Sequence, residues 1–177
     1  MESLDYATVL PITVKYILLQ IDNVEAKLKQ NSLALASLDS DGDTMDDNTF
    51  RALRTERELL EGELNFLKRI STNEVLKSPD LTDASITIGH TVKIKIVYPE
   101  GVAEQINLSI VSSLDKRYLP KDLAFTPDHV LASVDTPVVK AILGKKARQN
   151  VEYNTEAGTG SIKIIAVGIS SLFNMEV

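Results

Sequence analysis

Five aspartates lie close together in one short stretch of this 177-residue chain, between Ser37 and Asn48. The stretch contains no basic residue, and its aspartates are Asp39, Asp41, Asp43, Asp46 and Asp47. Carboxylate oxygens are the ligands that hard cations such as Mg²⁺ and Ca²⁺ prefer. These residue types therefore suit two kinds of chemistry: binding a cation, or placing negative charge beside a cation that another molecule holds.

Three interpretations of this acidic turn are open from the residues alone. A calcium loop of the EF-hand type is disfavoured, because it needs glycine at position six and glutamate at position twelve. Counted from Asp39, the glycine is fourth and the twelfth residue is Phe50. A solvated cap explains Asp46 and Asp47, since a helix N-terminus favours negative charge. In the third interpretation, a stiff support delivers the carboxylates into a partner's incomplete metal site.

The support is predicted from the segments on either side of the turn, residues 8 to 70. Apolar residues there recur at alternating spacings of four and three, which indicates the seam of a heptad repeat. The predicted seam consists of Leu10, Val14, Ile17, Ile21, Val24, Leu28, Leu35 and Leu38, then Phe50, Leu53, Leu60, Leu64 and Leu67, with Asn31 and Arg57 at the two skipped positions. Two such helices are expected to pair antiparallel, with Gly62 explained by close helix contact.

The chain changes character at about residue 78. Valine- and isoleucine-rich segments with alternating polarity predict antiparallel strands at 85–89, 91–99, 104–111, 150–155 and 161–168. Between them, one short helix is predicted, with Asp135 or Thr136 as its cap, Pro137 in its first turn and Gly144 at its end. The predicted fold class is α+β, with a helical hairpin domain at 1–77, a sheet domain at 78–177 and a linker at 72–83.

Composition narrows the function. The net charge of −6 disfavours autonomous nucleic-acid binding, because proteins that bind phosphate backbones usually present a basic face. The absence of cysteine excludes disulfides, thiolate zinc sites and cysteine nucleophiles. His90 and His129 lie far apart in sequence, which gives little support to a histidine-based catalytic site. No apolar run is long enough to span a bilayer, so no membrane partner is expected, and a cytoplasmic location is the expectation.

Two long segments resemble a known family. The stretch "GDTMDDNTFRALRTERELLEGELNFLKR" (42–69) resembles the tip and second helix of bacterial transcript-cleavage factors, the GreA/GreB family. The stretch "LASVDTPVVKAILGKKARQNVEYNTEAGTGSIKIIAVG" (131–168) resembles the C-terminal domain of that family, and "ITIGHTVKIKIVY" resembles the strand that opens it. The resemblance implies an antiparallel α-helical coiled-coil hairpin followed by an FKBP-like antiparallel sheet domain with one short helix.

The resemblance also implies a function at bacterial RNA polymerase. The C-terminal domain of such factors docks at the rim of the secondary channel, and the coiled coil enters the channel. The tip carboxylates help to hold a catalytic magnesium ion, and the polymerase itself cleaves the 3′ end of backtracked RNA. The chain would then be a transcription elongation factor rather than an enzyme, with its cofactor magnesium shared with the polymerase.

The family's functional residues fall on particular positions of this chain. The essential tip aspartate corresponds to Asp43, and the tip glutamate corresponds to Asp46, with Asp41 and Asp47 as further candidate magnesium ligands. The family's serine, asparagine and tyrosine are replaced here by Met45, Asp47 and Phe50, while Arg51, Arg54 and Arg57 remain on the second helix. Two functions are therefore open: stimulation of RNA cleavage, or occupation of the channel by a paralogue that inhibits or modulates transcription.

The partner-binding residues implied at the other end of the chain are Asp135, Thr136, Pro137, Lys145 and Lys146. Lys145 and Lys146 follow the short helix and are interpreted either as solvated turn residues or as a docking contact. A third function, that of a coiled-coil adaptor unrelated to polymerase, is the remaining alternative. It differs from the other two in predicting that the tip aspartates are dispensable.

Overall fold

The computed structural model describes residues 8–40, 47–79, 85–120 and 129–175. They divide into two compact units: Lys15–Asn73, and a second unit that combines the segment up to Val14 with the described residues from Glu74 onward. The first is helical and the second contains the sheets, so the α+β class is confirmed. The domain limits 1–77 and 78–177 stay a prediction, and the compact units differ from them at residues 8–14 and 74–77.

The helical unit is built from two long helices, α1 (Pro11–Ser40) and α2 (Asp47–Ser71). Pro11 is the first residue of α1, where its missing N–H removes no helical hydrogen bond. The helices run antiparallel: Asn31 of α1 contacts Leu53 of α2, whereas Glu25, earlier in α1, pairs with Lys68, later in α2. Among the described residues, neither helix carries an apolar stretch sufficient to cross a bilayer.

The predicted seam is buried in part and half-buried along the rest of its length. Ile17, Ile21, Val24, Leu60 and Leu67 are at most 8% exposed, as the heptad spacing predicts. Half-buried positions continue the seam toward the acidic turn: Leu28, Leu35, Leu38, Leu53 and Phe50. The narrow buried stripe follows from the 3.5-residue period, which keeps one seam of each helix toward its partner.

Two predictions about these helices are wrong. Leu10 precedes α1 and lies in the unit that contains the sheets, where its N–H donates to the Asp115 carboxylate over 2.9 Å. Gly62 is exposed, and a Cβ placed on it would meet nothing within 4 Å, so close helix contact does not explain this glycine.

The second unit contains a small parallel sheet of two strands. Strand β1 (Thr8–Val9) pairs with β2 (Glu74–Val75), and the N–H of Leu76 donates to the carbonyl of Val9. Residues 74 and 75 fall inside the predicted linker. They form a strand because the chain returns beside residues 8–9 and can complete their backbone hydrogen bonds.

The main sheet has five strands in the order β5-β4-β3-β7-β6. The strands are β3 (His90–Val97), β4 (Ala103–Val111), β5 (His129–Ser133), β6 (Asn150–Thr155) and β7 (Gly158–Ile169). Two short helices, α3 (Ser113–Tyr118) and α4 (Pro137–Ile142), and a 3₁₀ helix (Ser171–Asn174) complete the described elements. The β3–β4, β3–β7 and β6–β7 pairs are antiparallel, but β4 and β5 are parallel.

The sheet therefore corrects three details of the predicted architecture. It is mixed rather than antiparallel, because the chain between β4 and β5 crosses over through α3 before the next strand begins. Residues 85–89 do not form a strand: Ile86 exchanges two backbone hydrogen bonds with the loop after α4, and Gly89 has φ +89°. The described part of the unit contains two short α-helices, where one was predicted. The FKBP-like description stays a prediction.

The core of this unit lies between the sheet and α4. On β3, Val92, Ile94 and Ile96 are at most 1% exposed, while the intervening lysines face solvent. Val139 and Ile142 of α4 are fully buried in the same cluster. The residues that flank α4, Asp135 before it and Lys145 after it, are exposed at the surface of the unit.

Candidate functional site

The acidic turn is bracketed by the ends of the two long helices. Asp41, Asp43 and Asp46 lie outside the described residues, so their predicted role as magnesium ligands is untested by the geometry. Asp39 lies in α1 and Asp47 begins α2, and the side chains of both are outside the described part of the chain. Within the described residues, no group of three histidine, aspartate or glutamate side chains is arranged to hold a metal ion.

The first turns of α2 place positive charge directly after the acidic turn. Arg51 and Arg54 are exposed, and the Arg54 guanidinium lies 4.5 Å from the centre of the Phe50 ring. Such a cation–π contact holds the side chain against the helix surface. Arg57, at a skipped seam position, is exposed and donates to Glu61 over 2.9 Å. The predicted arginines are thus all exposed, Arg57 included, although Arg57 stands at a skipped position of the seam.

A second candidate surface lies at the two ends of α4, and we call it the α4 surface: Asp135, Thr136, Pro137, Lys145 and Lys146. Thr136 is the N-cap residue and Pro137 the first helical residue, as the sequence predicts. The Thr136 hydroxyl does not cap the helix. It donates instead to the Ser133 carbonyl over 2.8 Å, which closes the turn between β5 and α4.

Asp135 is held in place by hydroxyl groups from two elements. Its Oδ2 accepts hydrogen bonds from Ser113 Oγ of α3 and, over 3.2 Å, from Ser133 Oγ of β5. Asp135 is exposed, so the ordered carboxylate remains accessible to a partner. Ser113 and Ser133 were missed by the sequence reasoning. The available signal was the S-x-x-D pattern at 112–115, which predicts the start of a helix beside this turn.

Lys145 and Lys146 occupy the loop after α4. The backbone of Lys145 bonds to both Ile142 and Ile86, and the N–H of Lys146 donates to Gln149 Oε1 over 2.8 Å. Both side chains are exposed on a backbone that these bonds fix. Because α4 has only six residues, about 9 Å along its axis, Asp135 before the helix and Lys145 and Lys146 after it flank one short element. The structure brings the five predicted docking residues together around this helix.

A serine and a histidine meet inside the sheet unit, and sequence spacing did not predict the pair. Ser109 Oγ lies 2.8 Å from His129 Nε2, a spacing also found in nucleophilic Ser–His pairs. However, Ser109 is fully buried, and its hydroxyl also contacts the hydroxyls of Thr91 and Ser170 at 3.1 Å and 3.2 Å. Since no substrate can reach a fully buried hydroxyl, we interpret this cluster as structural. Burial lowers the pKa of His129.

The sequence aligns with curated transcription elongation factors. It is 28% identical over 127 residues to transcription elongation factor GreA of Thermoanaerobacter pseudethanolicus, which covers 71% of this chain and 73% of that protein. It is 24% identical over 127 residues to GreA of Streptococcus thermophilus, covering 71% and 72%. No family model matches the chain. The curated relatives support recognition of the chain as GreA/GreB-like.

Two solved structures superimpose on the chain with low TM-scores. The crystal structure of GreA factor homolog 1 (Gfh1) of Thermus thermophilus superimposes with a TM-score of 0.39 at 18% identity, covering 92% of this chain and 98% of that one. The prokaryotic transcription elongation factor GreA/GreB from Nitrosomonas europaea gives a TM-score of 0.32 at 23% identity, covering 64% and 89%.

Proposed function

We propose that this chain is a transcription elongation factor of the Gre type that binds bacterial RNA polymerase in the cytoplasm. The observation that carries the proposal is its similarity over 127 residues to proteins curated as transcription elongation factor GreA. The architecture agrees with a factor that acts at a distance. Two paired helices, of 30 and 25 residues, support an acidic segment that contains no basic residue.

The acidic segment is proposed to act on a magnesium ion that the polymerase holds. At 1.5 Å per residue, helices of this length place the segment roughly 35–45 Å along the hairpin, far enough to enter a partner's cavity. Asp43 and Asp46 supply carboxylate oxygens, with Asp41 and Asp47 as further donors, and this donor set suits Mg²⁺. The bound ion would polarise a water molecule for hydrolysis of RNA. The chain itself is not proposed to be a nuclease.

The α4 surface is proposed as the docking end. Asp135 presents a carboxylate that two hydroxyl groups hold in one place, and Lys145 and Lys146 present positive charge on a fixed loop. Ordered charges of both signs favour specificity and fast association with a surface of complementary charge. In this proposal the rim of the polymerase's secondary channel supplies that surface.

The aspartates of the acidic turn are compatible with two functions at the polymerase. Cleavage stimulation is favoured because Asp43 and Asp46 keep the three-residue spacing of the two carboxylates in the family's tip. Two features instead support inhibition without cleavage. The side chain of Asp46 is shorter than that of glutamate, and the extra charge at Asp39 and Asp41 suits tight binding of the catalytic ion. An adaptor unrelated to polymerase is the remaining function.

The test is a backtracked transcription complex with end-labelled RNA. Cleavage stimulation predicts shortened transcripts, and their loss in Asp43→Asn. Inhibition predicts blocked elongation without shortening, also relieved when the tip aspartates are replaced by asparagine. If the wild-type chain neither shortens the RNA nor blocks elongation, and does not bind polymerase, the proposed function is wrong and the adaptor is favoured.

Docking is tested separately with purified polymerase. Asp135→Asn, which removes the charge that Ser113 and Ser133 orient, is expected to weaken binding about tenfold or more, as for truncated charged contacts that the partner desolvates. Glu152→Gln on β6 is the matched control, since Glu152 is also exposed. Equal loss of affinity in both variants would indicate non-specific charge attraction and contradict the α4 surface.

A further inference from the structure

One polar side chain is buried in the seam between the long helices. Asn31 is 4% exposed, whereas the other buried residues of the helical unit are apolar. Its Nδ2 donates to the Leu53 carbonyl over 3.0 Å and to Glu56 Oε2 over 2.9 Å. Its Oδ1 has no hydrogen-bond partner among the described residues. The orientation of the amide follows from these partners, since a flipped amide would turn its oxygen toward two acceptors.

Asn31 is expected to lower the free energy of unfolding relative to an apolar residue at the same position. A buried carbonyl oxygen without a donor carries a desolvation penalty, and a leucine would restore the apolar seam. Buried asparagines at seam positions of coiled coils are known to select one register and to reduce stability in doing so. The matching observation here is that the amide contacts the partner helix at two points, a backbone carbonyl and a side chain.

The two skipped positions of the seam lie at neighbouring levels in the observed register. Asn31 contacts Glu56, the residue directly before Arg57, so the polar positions of α1 and α2 lie at neighbouring levels. A shift by one heptad would offer Asn31 another carbonyl and glutamate, at Leu60 and Glu63. It would also separate the two polar positions by seven residues and place each one opposite leucines of the other helix.

The register decides where the chain turns. In an antiparallel hairpin, the sequence midpoint of two paired residues marks the turn. The midpoint of Asn31 and Leu53 is residue 42, and that of Asn31 and Glu56 lies between 43 and 44. The long side chains of Glu25 and Lys68 reach along the axis and define the register less closely. A one-heptad shift would move the midpoint by three to four residues and change which aspartates stand at the turn.

We propose that Asn31 is a positioning residue that fixes the register of the helical hairpin and so decides which residues between Ser40 and Asp47 stand at its turn. The consequence for polymerase rests on the proposed function: a shift of the register would change which carboxylates the hairpin presents to the metal. The register itself is a property of the free chain. The two claims are therefore tested by separate measurements.

The register is measured by the distance between two spin labels. The chain has no cysteine, so introduced cysteines at exposed Lys15 and Glu58 label it cleanly. In the observed pairing these positions lie roughly 16–21 Å apart along the axis, and a one-heptad shift changes that offset by about 10 Å. Wild type is expected to give one distance. Asn31→Leu is expected to add a second population, and Asn31→Leu combined with Arg57→Leu is expected to enlarge it.

Asn23→Leu is the matched control, because it makes the same change at an exposed position of the same helix. It is expected to keep the single wild-type distance. If Asn31→Leu also keeps that single distance, the inference about Asn31 is overturned, whatever the double variant does. Both leucine variants add apolar surface to the seam, so they are expected to remain folded.

The effect on polymerase separates positioning from stability. Asn31→Leu is expected to raise the thermal midpoint or leave it unchanged, and yet to reduce the effect on backtracked complexes in proportion to the shifted population. A register shift with undiminished activity would contradict the positioning role. If wild type has no effect on polymerase, the proposed function fails, while the label distances still decide the register.

Discussion

In the unit that contains the sheets, the buried side chain of Asp115 connects several backbone segments by hydrogen bonds. Its carboxylate is fully buried and accepts hydrogen bonds from the Leu10 N–H, the Ser112 N–H and the Ser112 hydroxyl, at 2.9, 3.0 and 2.8 Å. In return, Ser112 Oγ accepts from the Asp115 N–H, which completes a capping box at α3. Asp115 thereby joins the residue before α1 to the start of α3.

Replacement of Asp115 by alanine is expected to lower the free energy of unfolding by about 2–4 kcal/mol. Loss of a helix cap costs about 1 kcal/mol, and leaving buried N–H groups without an acceptor costs about 1–3 kcal/mol. Urea unfolding measures the change. Asp22→Ala, at an exposed position of α1, serves as the control and should stay within about 0.5 kcal/mol of wild type. Equal effects of the two variants would refute the role of Asp115.

His90 is expected to make stability depend on pH. It is 1% exposed, and its Nδ1 accepts the Thr87 N–H over 3.0 Å, so the neutral ring carries its proton on Nε2. Burial lowers the pKa of His90 below 6.5, and burial lowers that of His129 as well. The unfolded chain therefore binds protons that the folded chain does not. Stability is full above pH 6.5 and falls as pH decreases from about 6.5 toward the folded-state pKa.

The corresponding measurement compares urea midpoints at pH 7.5, 6.5 and 5.5. Wild type is expected to lose stability over this range, and His90→Asn is expected to lose less of it. His129 remains in the variant, so part of the slope should persist. A variant whose midpoint changes with pH as steeply as that of wild type would show that His90 does not titrate as described.

At the scale of elements, the close pairing of β6 and β7 depends on a glycine. Gly160 of β7 faces Tyr153 of β6, and a Cβ on Gly160 would lie 2.4 Å from Tyr153 Cε1. Tyr153 is 3% exposed and has little room to move. Gly160→Ala is expected to destabilise the chain by about 1–3 kcal/mol, as overpacked cores do.

Gly168→Ala on the same strand is the matched control for that variant. A Cβ there meets its nearest atom, the Thr91 carbonyl oxygen, at 4.0 Å, so little loss is expected. Thermal unfolding of both variants distinguishes a specific clash from the general effect of alanine in β7. If Gly168→Ala were as destabilising as Gly160→Ala, the contact with Tyr153 would not be the cause.

Alanine in place of Gly62 in α2 is expected to have the opposite effect on stability. It is exposed, and a Cβ there would meet no neighbour, so only the low helix propensity of glycine counts. Gly62→Ala is expected to stabilise the helical unit by about 1 kcal/mol. Guanidinium unfolding followed by helical circular dichroism measures this. Destabilisation would mean that the glycine serves a contact that the described residues do not show.

The sequence predicts those elements best that depend on local periodicity. The heptad spacing predicted α1 and α2, and the proline and glycine signals predicted α4, because each signal is contained in neighbouring residues. The strand at 85–89 was wrong because Ile86 completes its backbone hydrogen bonds with Lys145 and Gly144, which are remote in sequence. The parallel position of β5 depends on a crossover that strand patterns do not encode. Likewise, the partners of Asn31 and Asp135 come from other elements and could not be read from spacing.

For the whole molecule, two functions are proposed for two different parts of the chain. The α4 surface, with its ordered Asp135, is assigned to docking, and the acidic turn carried by α1 and α2 is assigned to the metal. The similarity to GreA proteins spans 71% of the chain. That similarity supports the proposed class of partner, whereas the proposed roles of individual aspartates rest on residue type and position. The two assignments are separable, because replacing the tip aspartates should abolish the effect on polymerase without abolishing binding.

The acidic turn is proposed to reach the catalytic metal of RNA polymerase. The most direct measurement replaces that Mg²⁺ by Fe²⁺ in a polymerase complex with the labelled chain, so that hydroxyl radicals form at the metal and cut nearby backbone. Cuts in the chain are expected only at residues 41–46 and their immediate neighbours. An uncut chain bound to the polymerase, or cuts that fall in the sheet unit instead, would contradict this proposal.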